Sequence, residues 1–514
     1  MVKHWLLGLS LLLCLLSGQA WGTDHHVCEV TQGAGDGTTE ADCKTWSFAD
    51  NEFAAGDTLY IHGEINTDTT LVFNDAGVAG NPIIITGADS DNPGILDGNG
   101  TATPVLQLGS SGEPASYVTL RNITVRDSAA TAASSCILDS SLGAGGGFNV
   151  IEDSTITDCG YYGILVQKPS ITIDANEVSY CFDDCVGIAS GGTSPTVTHN
   201  TIHHFSTGTT TGDGIFTNNA ATNSNGLIEY NTIYWDTPAS TKHGIIAGND
   251  TGILIVRFNA LIARTATTTN HAISITAAGQ AYVYGNYCDG FKACVTHFDD
   301  TGGLRGIDSS LDIFSNIASD SQYVVQINTT VGTPTVNLYN NTGVDCGTRC
   351  IELSGAGTIA TVTNNILDAA SGAIALYVSN SIASYAGDYN DFYPEGASFI
   401  QNNECGGTYS TLVAYQAACT LVEQNSVTVL PDFIGGATPT TAEGLKLSPG
   451  SALRRAGTDL NIGNVQDNGG RAFSHPPSIG AWEAASGDEA TARTAATART
   501  AATARTAATA RTAR

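Results

Sequence analysis

Leu227-Ile-Glu-Tyr-Asn231-Thr-Ile233, His243-Gly-Ile-Ile246, Ile253-Leu-Ile-Val256, Asn259-Ala-Leu261 and His271-Ala-Ile273 are the stretches whose reading decides the fold. They spell one phrase twice: a β-branched run, an Asn, a second short apolar run, and a small residue before Ile. The phrase extends in both directions. An Asn followed shortly by an apolar residue recurs at Asn122, Asn176, Asn200, Asn231, Asn259, Asn286, Asn316, Asn341 and Asn365, with Asp153 filling the second place. Successive intervals are 31, 23, 24, 31, 28, 27, 30, 25 and 24 residues. In step with it run Ser135-Cys-Ile, Tyr162-Gly-Ile, Val186-Gly-Ile, Asp213-Gly-Ile, His243-Gly-Ile, His271-Ala-Ile, Arg349-Cys-Ile and Gly372-Ala-Ile.

A fixed period of this length marks a solenoid, because a single strand pair cannot bury its own apolar face and must stack on its neighbours. No helical period runs through the repeats, and β-branched residues and Gly-rich turns dominate. A propeller blade needs roughly 40 residues or more, so the period selects stacked coils. Asn at one recurring turn suits a residue that tolerates the left-handed region and bonds nearby backbone, and stacked copies would bond one another as a ladder. The small residue before each Ile fits a tight corner. The expected fold is all-β: a single-stranded right-handed parallel β-helix of about ten or more coils, with a loop-rich C-terminal cap.

The two ends have other compositions. Residues 1–22 read as a secretory signal peptide: Lys3 and His4 precede an apolar run from Leu6 to Leu16, and Ala20-Trp21-Gly22 has the form of a cleavage site. Residues 23–116 read as irregular first coils, 117–395 as the regular β-helix, 396–485 as the cap, and 486–514 as a low-complexity Thr/Ala/Arg tail. Of 13 cysteines, Cys14 leaves with the signal peptide. Cys28/Cys43, Cys181/Cys185, Cys288/Cys294, Cys346/Cys350 and Cys405/Cys419 lie close together, and no pair forms a CxxC, so local disulfides are favoured over zinc. A secreted chain, extracellular or at the cell surface with the periplasm as the other compartment, follows from both signals.

The formal net charge is −29; without Lys3 and the segment 487–514, whose five Arg outweigh Asp488 and Glu489, it is −33. Such a body repels nucleic acid and anionic membranes. It suits calcium, a hard cation that takes oxygen ligands. No segment after the leader is apolar enough to span a membrane, and a monomer is expected.

Gly56-Asp-Thr-Leu-Tyr-Ile, Ala79-Gly-Asn-Pro-Ile-Ile-Ile and Ile95-Leu-Asp-Gly resemble the opening of extracellular β-helix proteins of the pectate-lyase-like superfamily. Ser448-Pro-Gly-Ser-Ala-Leu, Asp467-Asn-Gly-Gly-Arg and Ser478-Ile-Gly-Ala-Trp-Glu resemble a closing segment of the same proteins, so the likeness covers nearly all of residues 23–485. It implies the fold and leaves the activity open among lyases, polygalacturonases, epimerases and adhesins. Asp183-Asp184-Cys185-Val186 resembles the paired aspartates of polygalacturonases and the calcium site of some pectate lyases. The Asn-Thr-Asp motif of the former and the extra upstream aspartate of the latter are absent, and Asp213 stands where the former have histidine.

The residue before each small-Ile pair forms one column: Ser135, Tyr162, Val186, Asp213, His243, His271, then Lys292 (or Ala293 on a one-residue slip), Tyr323, Arg349 and Gly372. Rungs of a parallel stack lie about 4.8 Å apart, so Asp213, His243, His271 and Lys292 would be neighbours, with Asp183 and Asp184 one rung back. These are the candidate catalytic residues (His243, His271, Lys292, Asp213), substrate contacts (Tyr162, Tyr323, Arg349) and calcium ligands (Asp183, Asp184, Asp213). The expected activity is β-elimination on an acidic polysaccharide, a cation neutralising the uronate and a base removing the adjacent proton. Hydrolysis by Asp184 and Asp213, as in a polygalacturonase, and a non-catalytic surface or adhesion scaffold are the alternatives.

Overall fold

A computed structural model describes residues 22–483, less 48–51, 90–92, 111–112, 114, 132–133, 141–146, 190–192, 208–211, 218–224, 236–242, 249–251, 265–268, 277–278, 299–308, 330–331, 397, 437–438, 440, 461–465 and 474–475. The leader up to residue 21, Lys242 and the Thr/Ala/Arg tail lie outside the described residues.

Each coil contributes one short strand to each of three sheets. Sheet A runs through 14 strands from Asp24–Val27 to Ser384–Asp388, and sheet B through 13 from Glu64–Asn66 to Asp391–Tyr393. Sheet C runs through 14 from Leu71–Phe73 to Gly407–Tyr409. Every third strand in sequence is a neighbour in space, and the pairing is parallel until the antiparallel closing pair of Ile400–Asn402 with Gly407–Tyr409. The first coils, from Asp24 onward, join the same sheets as the rest.

In-register pairing stacks like on like in the core. One column of sheet A reads Ile151, Ile173, Val197, Ile228, Val256, Val283, Ile313, Leu338 and Val362, all fully buried. Each such side chain contributes about 1.5–3 kcal/mol relative to leaving it in water. The small residue at the corner into sheet C is a packing requirement. A Cβ on Gly163 would sit 2.5 Å from the Cys185 carbonyl, and one on Gly244 would sit 2.4 Å from Leu261.

The bend between sheets A and B carries the Asn ladder. Its rungs are Asn176, Asn200, Asn231, Asn259, Asn286, Asn316, Asn341, Asn365 and Asn390, each but the last with its backbone N–H and side-chain amide on the Oδ1 of the next. The register differs from the sequence reading in one respect. The left-handed residue is the one before the ladder Asn: Ala175, His199, Tyr230, Phe258, Ser315, Asn340, Asn364 and Tyr389 have φ between 52° and 60°. The Asn itself is selected for a side chain that reaches the carbonyl two residues back, as Asn200 reaches Thr198. Asn122 and Asp153 hold the left-handed position (φ 50° and 46°), and Ser154 stands in the ladder.

Six disulfides join Cys28–Cys43, Cys136–Cys159, Cys181–Cys185, Cys288–Cys294, Cys346–Cys350 and Cys405–Cys419. The last coil is closed by an α-helix at Leu412–Ala418 and by Glu423, which accepts from Asn390 Nδ2 at the end of the ladder. The chain then returns along the outside of the A–B bend. Asn364 Oδ1 accepts from the Thr458 N–H, Ser315 Oγ donates to the Gln466 carbonyl, and Asn340 Nδ2 donates to the Ser478 carbonyl. A second apolar cluster holding Phe433, Leu453, Ile479 and Trp482 seals this segment to Ile317, Val344 and Ile366. Among the described residues, no helix is long and apolar enough to cross a membrane.

Candidate active site

At the corner entering sheet C, pairing fixes the order of residues. His243 pairs with His271, His271 with Ala293, and Ala293 with Tyr323. Backbone bonds from Gly163 to Asp184, Cys185 to Asp213 and Gly214 to His243 align the earlier rungs. The column therefore reads Ser135, Tyr162, Asp184, Asp213, His243, His271, Ala293, Tyr323, Arg349 and Ile374. Three expected members are corrected. Cys185 is the small corner residue, so Val186 turns into the core and Asp184 takes the column. Lys292 stands one residue ahead of Ala293, and Gly372 two ahead of Ile374.

At its centre the column is a chain of hydrogen bonds. Asp184 Oδ1 accepts the Asp213 N–H at 2.7 Å, and Asp213 Oδ1 accepts the His243 N–H at 2.8 Å. The same Asp213 oxygen lies 3.2 Å from His243 Nδ1. An imidazole held at Nδ1 by a carboxylate presents Nε2 as the basic atom, the arrangement that general-base histidines use. The His271 ring lies 5.1 Å from that of His243. Burial, then His243 and Lys292, lower the His271 pKa to about 3, so its imidazole stays neutral. Asp184 goes the other way: burial, then Asp213 and Asp183, raise it well above the ordinary carboxyl value. Tyr161, bonded to Asp183, is pushed up to about 12, and Tyr162 lies over Gly187 of the next rung.

Tyr323 and Arg349 belong to a separate group. They stand three and four rungs from His243, roughly 14 and 19 Å away. Arg349 pairs with Glu352 at 2.8 Å and stacks on Tyr377 at 3.8 Å, and Glu352 also accepts from Gln326. The guanidinium is neutralised within the chain. This part of the face offers a lining for an extended ligand and no free charge.

Calcium was expected on Asp183, Asp184 and Asp213. Asp184 and Asp213 each spend one oxygen on the next rung's backbone, and Asp183 bonds Tyr161. Among the described residues no group of three or more His, Cys, Asp or Glu is arranged to hold a metal ion. All three carboxylates are thus engaged within the chain.

One acidic feature escaped the sequence reading. Asp289, Asp320, Asp345 and Asp368 line a cleft of about 660 Å³ at the end of sheet B, with Tyr393, Pro394 and Pro439. Their signal is a recurring Asp three or four residues after a ladder Asn.

The stacked parallel coils define the class: the chain is a right-handed parallel β-helix protein, and residues 108–256 match the family model described as right handed beta helix region. Among solved structures it is similar to pectate lyase Pel9A, at 15% identity and a TM-score of 0.40, covering 91% of this chain and 98% of that one. It is similar too to an alginate lyase from Paenibacillus sp. str. FPU-7, at 15% identity and a TM-score of 0.40, covering 66% and 99%. XylC in complex with xylose is a third, at 11% identity and a TM-score of 0.42, covering 79% and 82%. No curated protein matches the sequence.

Proposed function

We propose that this is a secreted protein that acts on an acidic polysaccharide by β-elimination, with His243 as the base. The observation that carries the reading is the Asp213–His243 pair at the sheet C corner, the histidine 17% exposed and its carboxylate 6%. Nε2 of His243 takes the proton beside the uronate carboxyl, the C–O bond to the next sugar breaks, and a C=C bond forms between the two carbons. Tyr162, two rungs from Asp213 in the same column and with its phenol raised by burial, is a donor for the departing oxygen. Lys292, whose charge is felt at His271, supplies positive charge toward the carboxylate.

Hydrolysis by Asp184 and Asp213 has less support. A rung spacing of about 4.8 Å falls short of the roughly 6.5–9.5 Å an inverting pair needs. The scaffold reading is favoured by one observation, the internal neutralisation of Arg349 by Glu352.

The test is the ultraviolet absorbance of unsaturated uronides during incubation with pectate, alginate and other uronate polymers, with calcium and with chelator. Absorbance that rises with the wild type and stays flat with His243→Ala supports elimination and locates the base. A flat wild-type trace on all polymers, with retention of the protein on immobilised polymer, replaces the lyase with a binding scaffold.

A further inference from the structure

Toward the far ends of the strands that Ser135 and Tyr162 open, in the first regular coils, three polar side chains are sealed in the same place. Lys168 is 1% exposed, and Asp139 and Asn149 are 0%. A buried ion pair ordinarily puts the ammonium on the carboxylate at about 2.8 Å. Here Lys168 Nζ stops 3.7 Å from Asp139 Oδ1 and donates to two carbonyls, Ala115 at 2.8 Å and Leu108 at 3.3 Å. Asp139 Oδ1 takes its hydrogen bond from Asn149 Nδ2 at 2.9 Å, and Asp139 Oδ2 is buried without a partner. Asn149 Nδ2 reaches the same Ala115 carbonyl at 3.4 Å, and Asn149 Oδ1 accepts the Val118 N–H at 3.0 Å. The amine and the carboxamide thus share one carbonyl and face one carboxyl oxygen. Gly109 makes the room, since a Cβ there would lie 2.6 Å from Lys168 Nζ.

We propose that Lys168 and Asn149 join in the folded chain as an amide cross-link, with Asp139 as the proton shuttle. The lone pair of Nζ attacks Asn149 Cγ, whose oxygen is held by the Val118 N–H. Asp139 Oδ1 takes the proton from Nζ and delivers one to Nδ2; the Cγ–Nδ2 bond breaks and ammonia leaves. An amine and a carboxamide become a secondary amide and ammonia, Asp139 is regenerated, and no oxidant, metal or cofactor is consumed. Burial favours the states this needs: it lowers the Lys168 pKa toward the free amine and raises that of Asp139 to about 6. The exclusion of water protects the product from hydrolysis. The link spans residues 149–168 beside the Cys136–Cys159 disulfide, so two covalent ties of different chemistry hold the same coils.

The experiment is the intact mass of the full exported chain after reduction of its disulfides. A deficit of one ammonia, about 17 Da, is expected. A peptic digest should yield a branched peptide joining Asn149 and Lys168, and Lys168 should resist acetylation in the denatured chain. Asp139→Ala and Asn149→Ala should each restore the missing mass. Wild-type protein at full mass with Lys168 acetylated overturns the proposal without reference to any variant. A deficit of one water, with Asp139 in the branched peptide, overturns the assignment of Asn149.

Discussion

The bend between sheets A and B carries Asn in nine successive rungs, whereas the corner into sheet C carries Tyr, Asp, Asp, His, His, Ala, Tyr and Arg in order from Tyr162 to Arg349. Both edges meet the same stacking geometry. They differ in what their side chains answer to. The ladder residues are buried and must satisfy the backbone of two coils at once, a need identical in every rung. The sheet C corner is also buried at Asp184, Asp213, His271 and Tyr323, but no single need repeats in every rung, so its residues diversify, and diversity in a repeat protein is where chemistry collects. The residues just before the ladder Asn split the same way. His199, Tyr230 and Phe258 stack their rings at 5.3 and 5.2 Å where the edge is open, while Ser315, Asn340 and Asn364 bond the returning C-terminal segment.

The strongest test of this contrast is to break one rung. Asn286→Ala removes the acceptor of the Asn259 N–H and takes a donor from the Val256 carbonyl, while Asn316 Oδ1 keeps the residue 286 N–H. At about 1–3 kcal/mol for each of the two affected groups, the loss should exceed roughly 2 kcal/mol in chemical denaturation. A loss below about 1 kcal/mol would make the ladder incidental to stability.

The column should behave in the opposite manner. His243→Ala is expected to lower turnover by about 10²–10⁴, with stability changed by less than about 1 kcal/mol. A large fall in melting temperature with no loss of turnover would move His243 to the structural side.

A third prediction probes where the ladder ends. Burial raises the pKa of Glu423 to about 7, against 4.5 in an exposed chain. A carboxyl raised on folding favours the folded state fully below its unfolded pKa, and that stability is lost as pH rises through the folded one. The cap should therefore weaken between pH 4.5 and about 7, by an amount on the order of 3 kcal/mol that Glu423→Gln abolishes. Hydrogen exchange at Asn390 against pH measures it. His271, lowered to about 3, works in the reverse sense: its contribution is present above 6.5 and is lost as pH falls toward 3.

The smallest effect is expected at the open aromatic edge. Tyr230→Gly relieves a left-handed side chain costing about 1–2 kcal/mol and removes two ring stacks worth about 0.5–1.5 kcal/mol each. The two effects nearly cancel, and the melting curve should barely move. A large destabilisation would show that the rings bind the coils as firmly as the Asn does.

Much of the fold was legible, and the misreadings have local causes. The Asn series shows in the sequence because each coil repeats it; at Asn122 and Asp153 the bend slides by one residue, which an eye fixed on Asn cannot detect. His243 and His271 were placed correctly because Gly244 and Ala272 mark their corners. Asp184 was displaced because Cys185, Val186 and Gly187 offer two small residues, and only packing shows that Cys185 turns the corner. Arg349 was expected to contact substrate, and only the fold lays Glu352, three residues on, against its guanidinium.

By itself the sequence determined the period, the buried Ile and Val columns and the ladder, and it pointed to local disulfides without fixing their partners. Each of these is demanded within a coil or between residues a few positions apart. Only the tertiary structure decided that Asp213 grips His243, that the C-terminal segment returns over the A–B bend, and that Lys168 meets Asp139 and Asn149. Such meetings depend on the length of every intervening loop. A coil that gains or loses a residue shifts which side chains share a rung while leaving its own pattern of apolar residues intact.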